Sequence, residues 1–143
     1  MKQTVFLIIV LVLFFSCNPK PQAINYGEDG CHYCSMTIVD RQHAAELVTE
    51  KGKVYKFDAA ECMIQYLSED QTLMAHYLVT DYTKPKGLID AKTATFIISP
   101  NIPSPMRANL SAVATKEQGI DLQEQKGGDL YSWEELLIHL KKQ

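Results

Sequence analysis

The sequence predicts an α+β fold built from two similar halves. Three observations carry this. Short segments rich in β-branched and aromatic residues alternate in polarity, capping-box signatures stand before apolar-periodic stretches, and the order strand, strand, helix, strand occurs twice. At 143 residues the chain has the size of one globular domain. Its net charge of −3 and the lack of a basic stripe exclude nucleic acid as an expected partner.

In the first half, residues 37–39 are short and β-prone. The stretch 41–49 carries the alternation Ala45, Leu47, Thr49, and Glu50-Lys51-Gly52-Lys53 has the composition of a hairpin turn. Val54-Tyr55-Lys56-Phe57 alternates and forms the returning strand. Asp58 followed by Glu61 resembles a capping box. The helix it opens, over 59–67, sets Cys62, Met63, Tyr66 and Leu67 near one apolar face, so Cys62 reads as a buried structural cysteine. A strand over 73–80 closes this half.

In the second half, 88–90 and 94–98 read as strands, the latter apolar enough to be buried on both faces. Pro100, Pro103 and Pro105 stiffen the next loop. Ser104 can cap and Pro105 can take the first helical position, which predicts a helix from Met106 to about Gln118, stopped by Gly119. Gly127-Gly128 precede a strand over 129–131. Ser132-Trp133-Glu134-Glu135 is a second capping box, and it opens a final helix that buries Trp133, Leu136, Leu137 and Leu140.

The N-terminus stands apart. After Met1-Lys2-Gln3, residues 5–15 are eleven continuously apolar residues, too short for a spanning helix of about 20 and suited to a secretory signal. Phe14-Phe15-Ser16-Cys17 resembles a bacterial lipobox, with Cys17 as the lipidated residue; the alternative is an ordinary signal peptide with an incidental cysteine. Residues 1–16 are therefore expected to be a signal peptide, 17–25 a lipidated, proline-bearing tether, and 26–143 the domain. Such a chain is exported, to an oxidising compartment. Three cysteines remain in the domain, Cys31, Cys34 and Cys62, and one disulfide cannot use them all.

The chemistry concentrates in Cys31-His32-Tyr33-Cys34-Ser35-Met36, after a polar glycine-bearing approach expected to leave the sulfurs near the surface. Thiolate and thioether donors select Cu(I) over hard cations. A thioredoxin-type pair would start a helix after a buried strand, and neither is suggested here. A structural zinc site needs four ligands, and only one Cys-x-x-Cys knuckle is present. On an extended segment Cys34 and Met36 face the same way. His32 can bind metal or simply face solvent. Met106, in the proline-stiffened loop, can be a third sulfur or a core residue. The expected metal ligands are Cys34, Met36 and Met106, with Cys31 and His32 as further candidates.

These residues resemble the NosL family of copper-binding lipoproteins that accompany nitrous oxide reductase. The lipobox-like segment, the Cys31–Met36 stretch, residues 55–63, Met106-Arg107-Ala108-Asn109-Leu110-Ser111-Ala112, Gly127-Gly128 and Trp133-Glu134-Glu135 carry the likeness. The resemblance implies a fold of ββαβ halves similar to the organomercurial lyase MerB. It implies a monomeric Cu(I) chaperone, not an enzyme, anchored by lipid to a membrane and facing the periplasm. Its partners would be the reductase and its maturation complex, an ABC-type membrane transporter with an associated periplasmic protein. The family's ligands fall on Cys34, Met36 and Met106. The family usually has glycine where Ser35 stands, and a positive φ there would strain serine. The alternative is a periplasmic dithiol oxidoreductase using Cys31 and Cys34.

Overall fold

The computed structural model describes residues 19–141. The expected signal peptide and Cys17 lie outside the described residues. The elements run β1 (Ala45–Thr49), β2 (Val54–Phe57), α1 (Ala60–Glu69), β3 (Met74–Thr80), β4 (Leu88–Asp90), β5 (Thr95–Ile98), β6 (Leu110–Val113), α2 (Lys116–Lys126), β7 (Asp129–Tyr131) and α3 (Trp133–Leu140). Two antiparallel sheets result, in the orders β2-β1-β3-β4 and β6-β5-β7. In each, the half's first strand is central, its hairpin partner lies on one side and the strand after the helix on the other. Two ββαβ halves are thus present, with α3 as a closing helix, but β4, expected to open the second half, is an added edge of the first sheet, and β5 takes β6 as its hairpin partner.

Pairing of Ala45 with Phe57 and Val79, and of Leu47 with Tyr55 and Tyr77, sets these residues on one face of the first sheet, where they meet Ala60 and Met63 of α1. The opposite face carries Glu46, Lys56, His76 and Leu78. Against it lies the segment expected as a tether. The Gln22 amide donates to Glu46 (3.0 Å), Lys56 Nζ donates to the Ala23 carbonyl (2.7 Å), and His76 Nε2 reaches the Pro19 carbonyl (3.2 Å). From Pro19 onward this stretch is part of the folded unit.

In the second half, β5 is buried on both faces, as its sequence suggests. Phe96 packs on Trp133 with ring centroids 5.8 Å apart, while Ile97 joins Ile102, Val113 and Leu122 in a smaller core beneath α2. The helix expected from Met106 to Gln118 is absent. Leu110-Ser111-Ala112-Val113 pairs with β5 instead, and α2 begins only after Thr115, whose capping box with Gln118 holds its first turn. Four residues are too few to display an alternation, and pairing with a central strand overrides the local helix propensity of leucine and alanine. Gly119 does not stop this helix; it lies inside it. A Cβ there would stand 2.7 Å from Thr95 Cγ2, so the glycine is what lets α2 approach β5.

The halves meet along a polar seam. The buried His43 ring spans Asp40 Oδ2 (2.9 Å, from Nδ1) and Ser111 Oγ of β6 (3.0 Å, from Nε2). The Tyr82 amide donates to the Ala112 carbonyl (2.8 Å). At one end of the seam, Ser104 of the second half donates to the buried Glu61 carboxylate of α1.

Candidate metal centre

Residues 31–36 close on themselves. The Cys31 amide donates to the Met36 carbonyl (2.7 Å) and the Ser35 amide to the Cys31 carbonyl (3.0 Å). The bridge between Gly30 and Thr37 holds the base of the turn, and the His32 amide, donating to Lys56 (2.8 Å), ties it to the end of β2. This corrects the expected extended geometry of 34–36. The chain reverses at Ser35, whose φ is +64°, a left-handed conformation that costs a residue with a Cβ about 1–2 kcal/mol. Ser35 is exposed, so its side chain is dispensable to packing. Ser35→Gly is therefore expected to raise stability in urea by about 0.5–1 kcal/mol, the relief being offset in part by the larger backbone freedom of unfolded glycine. An unchanged or lower midpoint would show that the serine is not strained.

The turn brings two sulfurs to the first turn of α1. The Sγ atoms of Cys31, Cys34 and Cys62 and a carboxylate oxygen of Asp58 all lie within 4.8 Å of one another. All three cysteines are free thiols. Cys31 and Cys62 are buried and Cys34 is half-buried, so the expectation that the sulfurs lie near the surface holds for Cys34 and fails for Cys31. Asp58 is not the helix cap. The cap position is Ala59, with no side-chain bond, and Asp58 turns toward the sulfurs, accepting from the Cys34 thiol at 3.6 Å.

The electrostatics of the three sulfurs differ. The Cys62 thiol donates to Cys31; burial opposes ionisation of Cys31, while the backbone amides of Cys34, Asp58 and Tyr33 favour its anion. The net result holds Cys31 down at about 6. The same bond from Cys62 to Cys31, followed by burial and by the nearby Asp58, pushes the Cys62 thiol far above the ordinary range. Burial raises Cys34, and the Met36 amide, which points at its sulfur, partly offsets this. A depressed thiol stabilises the fold above its unfolded value, and this contribution is lost as pH falls through about 6. Thiolate absorbance of the reduced protein is expected to show a step with a midpoint near 6 that rises on Cys62→Ala, which removes the donor. A single step near the ordinary cysteine value of about 8.5 would remove the hydrogen-bonded anion from this picture.

Met36 is 53% exposed, two residues beyond Cys34, and Met106 is 38% exposed. Met106 rides the loop before β6, which is pinned to α1. Ser104 bonds Glu61, the residue before Cys62, and its Oγ also accepts from the Leu110 amide (3.4 Å). Arg107 and Asn109 adopt φ of +65° and +57° to carry the loop round. His32 is not part of the close group. Its ring packs among Tyr55 (4.4 Å), Tyr66 (5.3 Å) and Phe57 (6.4 Å).

Cys62 and Asp58 were not expected at this site. An apolar helix face read as core and an acidic residue before a helix read as a cap both hid them. The available signal was their spacing, which puts Asp58 and Cys62 at the two sides of the opening of one helix, beside the strand end that the cysteine turn must reach.

The family model described as NosL matches residues 21–140. The copper-binding lipoprotein NosL of Stutzerimonas stutzeri is 30% identical over 120 residues, which cover 78% of this chain and 63% of that protein, so the chain spans under two thirds of the relative's length. The crystal structure of the copper chaperone NosL from Shewanella denitrificans has the same fold, with a TM-score of 0.71, 24% identity, and coverage of 82% of this chain and 96% of that one. With the fold matched and nearly all the described residues covered by the family model, the chain belongs to the NosL family.

Proposed function

We propose that this protein is an exported, lipid-anchored carrier that binds one Cu(I) and passes it on for assembly of the nitrous oxide reductase copper centres. The observation that carries the reading is the close group of Cys31, Cys34, Cys62 and Asp58, within 4.8 Å of one another, with Cys34 half-buried. The exposed thioethers of Met36, two residues beyond it, and of Met106, on a loop that Ser104 ties to Glu61 of α1, are the further soft donors of the reading. Thiolate and thioether together suit a monovalent soft ion. The names of the relatives, a copper-binding lipoprotein and a copper chaperone, support it.

Transfer is ligand exchange. Cys34 binds most strongly and neutralises the ion; Met36 and Met106 hold it weakly enough for an acceptor thiolate, imidazole or thioether to displace them in turn. Cys31 stands behind Cys34 as a reserve donor. A lipid on Cys17 would keep the carrier beside a membrane transporter complex and raise the encounter rate. The dithiol oxidoreductase reading is disfavoured by which sulfur is ionised: the readily ionised Cys31 is 3% exposed, and an attacking thiolate must reach its substrate.

Anaerobic titration of the reduced protein with Cu(I) against a competing chelator tests the reading. One tight equivalent is expected, with Met36→Ala and Met106→Ala each weakening it about tenfold, or ~1.4 kcal/mol. If both variants bind as tightly as the parent, the thioethers are not ligands and the exchange mechanism fails.

A further inference from the structure

The cluster holds two more thiols than a site made of Cys34 and two thioethers uses. Burial sorts the sulfurs within it. The Cys34 thiol donates to Asp58 and the Cys62 thiol to Cys31, and all four groups lie within 4.8 Å of one another. Cys34 is half-buried, whereas Cys31 is 3% exposed and Cys62 is fully buried. A thiol pair enclosed in this way can donate electrons to something bound at Cys34 while being shielded from sulfurs of other chains.

We propose that Cys31 and Cys62 are an internal reductant for copper: cupric ion arriving at Cys34 and Asp58 is reduced to Cu(I), and a Cys31–Cys62 disulfide forms. The inference rests on the copper-carrier reading and adds to it a reaction and a second substrate, Cu(II). The balance is one thiolate (Cys31), one thiol (Cys62) and two cupric ions giving one disulfide, two cuprous ions and one proton. Each cupric ion accepts one electron, the Cys62 S–H bond breaks, the S–S bond forms, and the proton leaves to solvent; where Cys31 starts protonated a second proton leaves.

The donor types fit the two oxidation states. Cu(II) favours nitrogen and oxygen ligands, and the Asp58 carboxylate supplies oxygen beside Cys34. Once reduced, the ion prefers sulfur and is drawn to the thioethers at the rim. The distances fit as well. The two sulfurs begin within 4.8 Å and must close to about 2.05 Å. The odd number of cysteines in the domain then has a reading: two carry electrons and one carries the ion.

The test adds cupric ion alone to the fully reduced, anaerobic protein in the presence of a chelator that colours only with Cu(I). Released Cu(I) and remaining thiols are counted, and the disulfide is mapped by mass spectrometry after alkylation. About two cuprous ions per disulfide are expected, with residues 31 and 62 joined and Cys34 alkylated. Cys62→Ser is expected to slow the reduction at least about tenfold. Mapping on the unaltered chain needs no variant and so stands even if a variant folds poorly. A Cys31–Cys34 linkage, a disulfide between chains, or an undiminished rate in Cys62→Ser would overturn the proposal. Cu(I) supplied directly to the reduced parent separates the two ideas. Tight Cu(I) binding without the mapped disulfide sinks the reductant and leaves the carrier; absence of Cu(I) binding sinks the carrier itself.

Discussion

Cys34→Ser is expected to lower Cu(I) affinity by more than about a hundredfold, or ~2.7 kcal/mol. A serine hydroxyl is a hard, neutral donor, so the substitution removes both the soft contact and the negative charge that neutralises the ion. Thioethers are uncharged and cannot replace that charge. The fold should hardly notice. Cys34 is only half-buried, and its polar side-chain contacts, to Asp58 at 3.6 Å and to Cys31, are ones that a hydroxyl can also make. The comparison with the methionine variants is what discriminates. A loss much larger for Cys34→Ser than for Met106→Ala assigns the charge-bearing ligand to residue 34. Retained affinity would move the ion inward to Cys31, whose sulfur is held near 6 and lies in the same 4.8 Å group. X-ray absorption on the Cu(I)-loaded chain, counting sulfur neighbours in the parent and in each variant, checks the assignment independently of affinity.

What the sequence made legible follows from the range of the interactions involved. The hairpin of β1 and β2, the capping box of Ser132 and Glu135, and the two-sided burial of Phe96 and Ile97 are written in neighbouring residues, and all are present. Gly27 and Gly52, both at positive φ, sit in turns their neighbours announce. The helix expected at Met106 failed because β6 is defined by its partner. Leu110 to Val113 becomes a strand only once β5 lies beside it. The same limit hid half of the cysteine cluster. Cys31 and Cys34 share a motif, but Cys62 joins them through the closure of a loop across two strands, and its helix face looks like any apolar face. Ser35 is the intermediate case. The left-handed turn there was foreseeable as a question and was answered only by the backbone, at φ +64°.

Gly128→Ala is expected to be the most damaging single methyl addition in the second half, costing about 3 kcal/mol or more. Gly128 has φ +100°, and a Cβ there would stand 2.3 Å from the Ile98 carbonyl oxygen and 2.9 Å from Ser99 Cα. Both are backbone atoms, so no side chain can swing aside. Left-handed strain of about 1–2 kcal/mol adds to overpacking of about 1–3 kcal/mol. The neighbouring Gly127 is the control. It has φ +68° and open space where a Cβ would go, so Gly127→Ala should cost only the backbone strain. The contact reaches the site because of what meets there. Lys126, at the end of α2, accepts from Ser99 Oγ and Asn101 Nδ2 at 2.9 Å each, and the Ser99 amide donates to Asn109 at 3.0 Å across the base of the Met106 loop. Forcing β7 away from Ile98 therefore loosens that base as well as the small core of Ile97, Ile102, Val113 and Leu122. Thermal unfolding should show a fall of roughly 10 °C for Gly128→Ala and a markedly smaller fall for Gly127→Ala. If the two variants melt together, the close approach of Gly128 to Ile98 does not hold this end of the sheet, and the Met106 loop takes its position from the bond between Ser104 and Glu61 alone.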